Sequence, residues 1–353
     1  MTKANFRSDN NTGVCPEILD ALIEEAHRKD DSYGRDSQSS QLKKAFSELF
    51  EREVEVIPVA SGTAANALAL RMITPSYGMV LCSDIAHIDA HEAGAPQFFN
   101  AGSKLVPLTS SYGKLTHATV ESYLAGRDWN SVNCSPPTGI SLTQATEVGT
   151  TYATSEISNL CDLARTYKLS VHMDGARFAN AVTASNKSPA NLTWRQGIDV
   201  LCFGATKNGA MCAEAIILFR AEPSPKHKLL SKQSGHLLSK MRFLSVQLLA
   251  MIRDDLWLKN ANAANAMATR LESRLRDCSR VRIEYPVQAN EVFFSAPTRA
   301  VEKLKRAGHG FHVWSGDDER SVVRAVTSYD TSDADIDAFV SSLSGSSGSV
   351  REN

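Results

Sequence analysis

Leu169-Ser170-Val171-His172-Met173-Asp174-Gly175-Ala176-Arg177 decides the fold. Apolar residues run up to an acid and then give way to small ones, the pattern of a buried strand whose end delivers a charged side chain. A second run, Val200-Leu201-Cys202-Phe203, opens onto Gly204-Ala205-Thr206-Lys207-Asn208-Gly209 and delivers a lysine. Further short strands are expected at 54–59, 79–82, 104–108, 140–143 and 215–219, with helices between several of them, as at 63–72 and 156–167. Strands alternating with helices predict an α/β fold, a mostly parallel central sheet with helices on both faces. Such sheets bind ligands outside the carboxyl ends of their strands, so Asp174 and Lys207 mark the edge where a site is expected.

Working outward, the loop Arg7-Ser8-Asp9-Asn10-Asn11-Thr12-Gly13 leads to Pro16, which suits the first turn of a helix; Ile18, Leu19, Leu22, Ile23 and Ala26 follow at helical spacing. Asp30-Asp31-Ser32-Tyr33-Gly34 breaks that helix before an amphipathic one carrying Leu42, Ala45, Phe46, Leu49 and Phe50. A long helical stretch is expected over 239–278, weakened in its middle by Asn260 and Asn262. Strands at 281–285, 291–295 and 322–327 and helices at 299–306 and 333–343 complete a smaller α+β unit. The organisation read from this order is a large domain with an N-terminal arm over 1–240, a small C-terminal domain over 241–343, and a Ser/Gly-rich flexible tail over 344–353.

Of the 353 residues 42% are hydrophobic and 22% charged, which places the chain among ordinary globular proteins. A formal net charge of -1, with no basic stripe, argues against a nucleic acid partner. Seven cysteines without a CxxC pair fit small core residues in a reducing compartment. No run approaches the ~18 apolar residues of a membrane span, and no apolar signal stretch opens the chain, so a cytoplasmic location away from membranes is expected.

A strand-end acid and a lysine in a loop of small residues suit pyridoxal phosphate. That cofactor needs a lysine for its Schiff base and a carboxylate for its pyridinium nitrogen. Alone, Asp174 reads equally well as a turn residue or a metal ligand; the downstream Lys207 favours the cofactor. Arg177 adds a planar donor suited to a carboxylate, its plainer alternative being a surface ion pair. Ser61-Gly62-Thr63-Ala64-Ala65-Asn66 joins a strand to a helix whose first N–H groups could bind a phosphate, as Thr206 could with its hydroxyl; a simple helix cap is the bland alternative. His87 and His91 stand four apart, yet this is not HExxH and no third ligand is evident, so no metal is expected. His87 is better suited to stack on an aromatic ring, and His91 to a structural role.

Nine segments in register, from SDNNTGVCPE through YGRD, SGTAANALAL, AHIDAHEAGAPQFF, GSKL, LTQATEVGTTY, HMDGARFANA and DVLCFGATKNGAMCAEAI to LLSKMRFLSVQ, resemble the threonine aldolase family of fold-type I pyridoxal-phosphate enzymes. Within it they are most similar to the bacterial low-specificity branch that also holds phenylserine aldolases. The resemblance implies that Lys207 holds the cofactor, Asp174 pairs with its ring nitrogen, His87 stacks on the ring, and Gly62, Thr63 and Thr206 bind the phosphate. It gives Ser8, Arg177 and Arg324 the substrate carboxylate. Tyr33 matches a loop that reaches the neighbouring subunit's site, with Lys240 and Arg242 as weaker candidates there. It also implies a homotetramer, a dimer of dimers with shared active sites.

One departure concerns the base. Many members carry a histidine after a threonine in the strand preceding the cofactor aspartate, and here Thr146 is followed by Glu147. The implied reaction is reversible cleavage of L-threonine and L-allo-threonine to glycine and acetaldehyde, with His87 first and Glu147 second as the group that takes the β-hydroxyl proton. The alternatives are a phenylserine or other β-hydroxy-α-amino acid aldolase and, within the same cofactor class, a β-eliminating lyase or aminotransferase. A metal-dependent hydrolase built on His87 and His91 and a non-catalytic cofactor-binding protein are the rivals from other classes.

Overall fold

The computed structural model describes residues 3–219 and 225–344, so the tail expected over 344–353 lies outside the described residues beyond Ser344. Its central sheet has seven strands: β1 (Glu55–Val59), β2 (Met79–Ser83), β3 (Lys104–Leu108), β4 (Pro137–Thr143), β5 (Ser170–Gly175), β6 (Val200–Gly204) and β7 (Glu214–Leu218). They lie in the order β1-β7-β6-β5-β4-β2-β3. Only β7 runs antiparallel to its neighbours, so the sheet is mostly parallel, as the alternating pattern predicts. The inner strands β2, β6 and β7 are buried at every position, which their unbroken apolar runs require. Each edge strand carries a proline, Pro58 in β1 and Pro107 in β3, a residue tolerated where no neighbour needs its N–H.

Because the parallel strands point the same way, the loops after β1, β2, β4, β5 and β6 all emerge at one edge. Phe46, Phe50, Phe178, Phe203 and Trp257 form an aromatic core beneath it, with Phe203 and Trp257 ring centroids 5.4 Å apart. The long helical stretch expected over 239–278 is in fact two helices, Arg242–Ile252 and Leu256–Arg276. The break falls at Arg253–Asp255, where Asp254 and Asp255 adopt φ of 52° and 55°, rather than at Asn260 and Asn262. Asn260 instead sits within the second helix and donates from Nδ2 to the Asn208 carbonyl at 2.9 Å, while Asn208 donates to the Trp257 carbonyl at 2.8 Å. The asparagine therefore pins the loop of Lys207 to the core.

A second sheet, antiparallel throughout, joins β8 (Arg282–Ile283), β9 (Glu291–Pro297), β10 (His312–Gly316) and β11 (Arg320–Val326) in the order β10-β11-β9-β8. Strand β10 is not foreseen by the sequence pattern; all five of its residues are exposed, so it has no alternating apolar face. The core behind this sheet includes Phe294, Val323, Leu304, Phe339 and, from the N-terminal arm, Ala4 and Phe6. Phe6 packs edge-on to Phe339 with ring centroids 5.1 Å apart, and its carbonyl accepts the Val326 N–H at 2.9 Å. The arm is thus anchored on the second sheet just before it delivers Ser8 and Asp9. Among the described residues no helix is long and apolar enough to cross a membrane.

Candidate active site

Asp174 ends β5 with both oxygens engaged: Oδ1 accepts the Ala176 N–H at 3.0 Å and Oδ2 accepts from Asn66 Nδ2 at 2.8 Å. The loop after β6 lies directly beside it. A Cβ placed on Gly204 would meet the Ala176 carbonyl oxygen at 2.4 Å, so glycine is what lets the two strand-end loops touch. Lys207 stands in the turn Thr206–Asn208 of that second loop, half-buried, and makes no hydrogen bond or ion pair among the described residues. Its amine is available for chemistry.

Facing elements complete this side. The helix Gly62–Ile73 starts after β1, where the Ser61 hydroxyl caps it by accepting the Ala64 N–H at 3.2 Å. The N–H groups of Gly62 and Thr63 have no intrahelical partner and are left for an anion. From the buried face of the same helix, Asn66 Nδ2 also donates to Glu92 Oε1 at 2.8 Å. His87, opening the short helix His87–Ala90 after β2, has Nδ1 2.8 Å from that same oxygen. The His87 backbone N–H donates to Glu147 Oε1 at 2.9 Å, which also accepts the Thr143 hydroxyl at 2.8 Å.

Two carboxyls here are poised near neutrality. Burial pushes Glu147 up to about 7 against the opposing His87 N–H and Thr143 hydroxyl, and its Oε2 is enclosed without a hydrogen-bond partner. Burial likewise lifts Glu214, at the start of β7, to about 7, opposed by the Thr206 hydroxyl, the Ala205 N–H and the charge of Lys207. Behind Asp174, burial lowers His172 to about 4; its ring lies between Ser141 Oγ at 2.9 Å and Cys202 Sγ at 3.3 Å.

The other side of the site is an ion-pair cluster. Arg177 donates from Nε to Asp9 Oδ2 at 2.7 Å and through a second nitrogen to Asp9 Oδ1 at 3.0 Å. A third nitrogen stands 3.4 Å from Glu291 Oε2, and Arg324 Nε donates to Glu291 Oε1 at 2.8 Å. Asn290 adds a hydrogen bond to Asp9 Oδ2 at 3.1 Å. Burial would raise the Asp9 carboxyl, yet the charges of Arg177 and Lys207 outweigh it and hold the group below its ordinary value. Burial would lower Arg177, and the carboxylates of Asp9 and Glu291 hold it up. Ser8 caps the turn Asp9–Asn11 by accepting the Asn10 N–H at 3.1 Å, and it reaches the cluster only through Asp9.

The candidates from sequence therefore fall into groups. Lys207, Asp174, His87, Glu147, Gly62 and Thr63 gather on the loops at one sheet edge, and Arg177, Arg324 and Ser8 join them through Asp9 and Glu291. Thr206 is close by, but its hydroxyl is engaged by the Ala213 N–H at 3.2 Å. Tyr33 is not brought into this group within one chain; its N–H donates to the Ser239 carbonyl at 3.0 Å and Lys232 lies over its ring. Arg242 is committed elsewhere, 2.9 Å from Glu25. His91 takes no part in the hydrogen bonds of the cluster, and its ring is tilted 56° to that of His87. Sequence reasoning missed Asp9, Asn66, Glu92, Glu214 and Glu291. Asp9 and Glu92 lay inside motifs quoted for their neighbours, while nothing in the local pattern marked Glu291.

Comparison with known proteins gives the family. The profile of the Beta-eliminating lyase family matches residues 5–297. A protein named low specificity L-threonine aldolase from Pseudomonas sp. (strain NCIMB 10558) is 40% identical over 329 residues, which covers 93% of this chain and 94% of the relative. One of the same name from Pseudomonas aeruginosa is 40% identical over 92% of this chain and 93% of its own length. Among solved structures, threonine aldolase from Leishmania major superposes with a TM-score of 0.89 at 27% identity, covering 96% of this chain and 98% of that one. The chain is an enzyme of the Beta-eliminating lyase family, on the branch of the low specificity L-threonine aldolases.

Proposed function

We propose that this enzyme holds pyridoxal 5'-phosphate through Lys207 and cleaves L-threonine and L-allo-threonine to glycine and acetaldehyde, reversibly. The observation that carries the reading is the unpaired Lys207 amine on a loop that touches the loop of Asp174. The free N–H groups of Gly62 and Thr63 at a helix start suit the phosphate, and the Asp174 carboxylate suits a protonated ring nitrogen. What the cofactor supplies when bound is an electron-withdrawing ring that takes up the electron pair of the Cα–Cβ bond.

The chain's own groups do the rest. Asp174 would hold the ring nitrogen protonated, and His87 would supply the contact to the ring face. Arg177 and Arg324 hold the substrate carboxylate, with Ser8 alongside, so that the scissile bond is fixed in orientation. Asp9 and Glu291 keep both guanidinium groups in place for that task. His87, directly or through water, takes the β-hydroxyl proton; Glu147 is the second candidate, and its carboxyl near 7 suits exchange of a proton at neutral pH. Thr206 steadies the Lys207 loop and could add a phosphate contact. Tyr33, with Lys240 and Arg242, belongs to a subunit contact in a cytoplasmic homotetramer with shared active sites. A division into a large domain, 1–240, and a small one, 241–343, goes with this scheme.

Purified protein supplied with the cofactor, alcohol dehydrogenase and NADH tests the reading on both threonine epimers. NADH loss matched by glycine formation is expected. 2-Oxobutyrate with ammonia instead would assign β-elimination, 2-oxo-3-hydroxybutyrate formed only with an added oxo-acid acceptor would assign transamination, and benzaldehyde from phenylserine without acetaldehyde from threonine would assign the phenylserine alternative.

A further inference from the structure

Glu92 has an environment that a structural role does not explain. Its side chain is wholly buried, as is the amide of Asn66 beside it. A buried carboxylate is costly unless a cation pairs with it and both oxygens are satisfied. Among the described residues no lysine or arginine pairs with Glu92, and Oε2 is enclosed without a hydrogen-bond partner. The whole of its bonding passes through Oε1, which lies 2.8 Å from His87 Nδ1 and 2.8 Å from Asn66 Nδ2.

The donors fix the logic. An ionised carboxylate has acceptors only, so with Glu92 ionised the imidazole must donate and Nδ1 carries the proton. In the neutral ring the lone pair then belongs to Nε2, on a side chain that is 41% exposed. Asn66 Nδ2 has two hydrogens, and the second goes to Asp174 Oδ2 at 2.8 Å. The polar atoms of His87, Glu92 and Asp174 lie within 4.8 Å of one another, as metal ligands would. The amide N–H groups between the two carboxylates present their positive ends there, which favours a hydrogen-bond chain over a cation.

We propose that Glu92 is the positioning residue of this site: it holds His87 as the Nδ1–H tautomer with Nε2 free to accept a proton, and through the Asn66 amide it fixes the Asp174 carboxylate. The inference rests on the reading that His87 and Asp174 serve the reaction described above, and it adds how their states are set. A carboxylate that orients an imidazole acts at one remove from the chemistry, and loss of such a partner costs about 10–100-fold in activity. The loss belongs in kcat, because Glu92 touches none of the arginines that bind substrate.

The test begins with the apo protein carrying 15N-labelled histidine, read by long-range proton–nitrogen NMR at mildly alkaline pH, with the His87 signals assigned by their loss in His87→Gln. Wild type should show the Nδ1–H tautomer at His87; the Nε2–H tautomer would overturn the proposal without any variant of Glu92. In Glu92→Gln the amide can offer either an oxygen or an N–H, so the single tautomer should be lost. In the cofactor-loaded form kcat should fall about 10–100-fold with KM within about 3-fold, and Glu92→Asp should recover part of it. Unchanged kcat in a folded Glu92→Gln would also overturn it. The two readings fail separately. The Nδ1–H tautomer in a protein that releases no acetaldehyde leaves the Glu92 assignment standing and removes the activity. The Nε2–H tautomer in an active aldolase does the reverse.

Discussion

On the side of Asp174 and Lys207, the groups come from loops that follow β1, β2, β4, β5 and β6 of a single sheet, so its strand order alone gathers them. On the side of Arg177 they come from four remote stretches of chain, at Asp9, Arg177, Asn290 with Glu291, and Arg324, held by ion pairs between the arm and both sheets. Among the described residues the first side leaves its key amine unpaired, whereas the second has its cations matched by acids. One half is arranged to receive a group, and the other is arranged to stay rigid until a carboxylate arrives.

The largest expected effect lies in the first half. Lys207→Ala should abolish the visible absorbance of bound cofactor and lower kcat by roughly 10^3-fold or more. Its unfolding midpoint without cofactor should fall only slightly, since among the described residues Lys207 makes no hydrogen bond or ion pair and acts on Asp9 and Glu214 through its charge alone. A large fall in stability would erase the contrast between the halves. Arg177→Met should do the opposite, because it leaves the buried Asp9 without its cation while Glu291 keeps only Arg324: urea unfolding should show a loss of about 3–5 kcal/mol. Arg324→Met leaves Arg177 in place and should mainly raise KM.

Phe6→Ala sharpens the same comparison from a distance. It opens a cavity under the arm that carries Asp9, with an expected loss of about 3–5 kcal/mol in urea unfolding. Its KM should rise more than its cofactor affinity falls, because the arm delivers Asp9 to the second half and meets the Lys207 loop only further along, where the Cys15 N–H donates to the Gly209 carbonyl at 2.9 Å.

The smallest effect is one of pH. Burial raises the Glu147 carboxyl to about 7, so the folded protein binds that proton more tightly than the unfolded chain does. Its contribution to stability is full below the ordinary carboxylate range and is lost as pH rises through about 7. Glu147→Gln should therefore gain on wild type by up to roughly 3 kcal/mol between acid and neutral pH in apo unfolding curves. If the carboxylate accepts the substrate proton, the rise of kcat/KM through neutral pH should flatten in the same variant.

The contrast between the halves also separates what sequence discloses. Apolar runs closing on Asp174 and opening onto Lys207 carry the first half in their local pattern, and the central sheet follows from the same alternation. Exposed β10 carries no such pattern. Aspartate and asparagine are comparably poor helix formers, so propensity did not tell the turn at Asp254 and Asp255 from Asn260; the structure does, because Asn260 is held by its bond to the Asn208 carbonyl. The acids of the second half were hidden for another reason. Asp9 and Glu291 act on residues far along the chain, and only the packing of the arm on the second sheet brings them together. Glu92 stands five residues after His87, off the helical repeat, and meets it because the helix stops at Ala90.

The most direct measurement is covalent mapping of the cofactor: the loaded protein is reduced with borohydride, digested, and its peptides weighed. The account predicts a phosphopyridoxyl group on Lys207 and on no other lysine. Labelling of a different lysine, or of none in a protein shown to be folded, would contradict the site at the edge of β5 and β6.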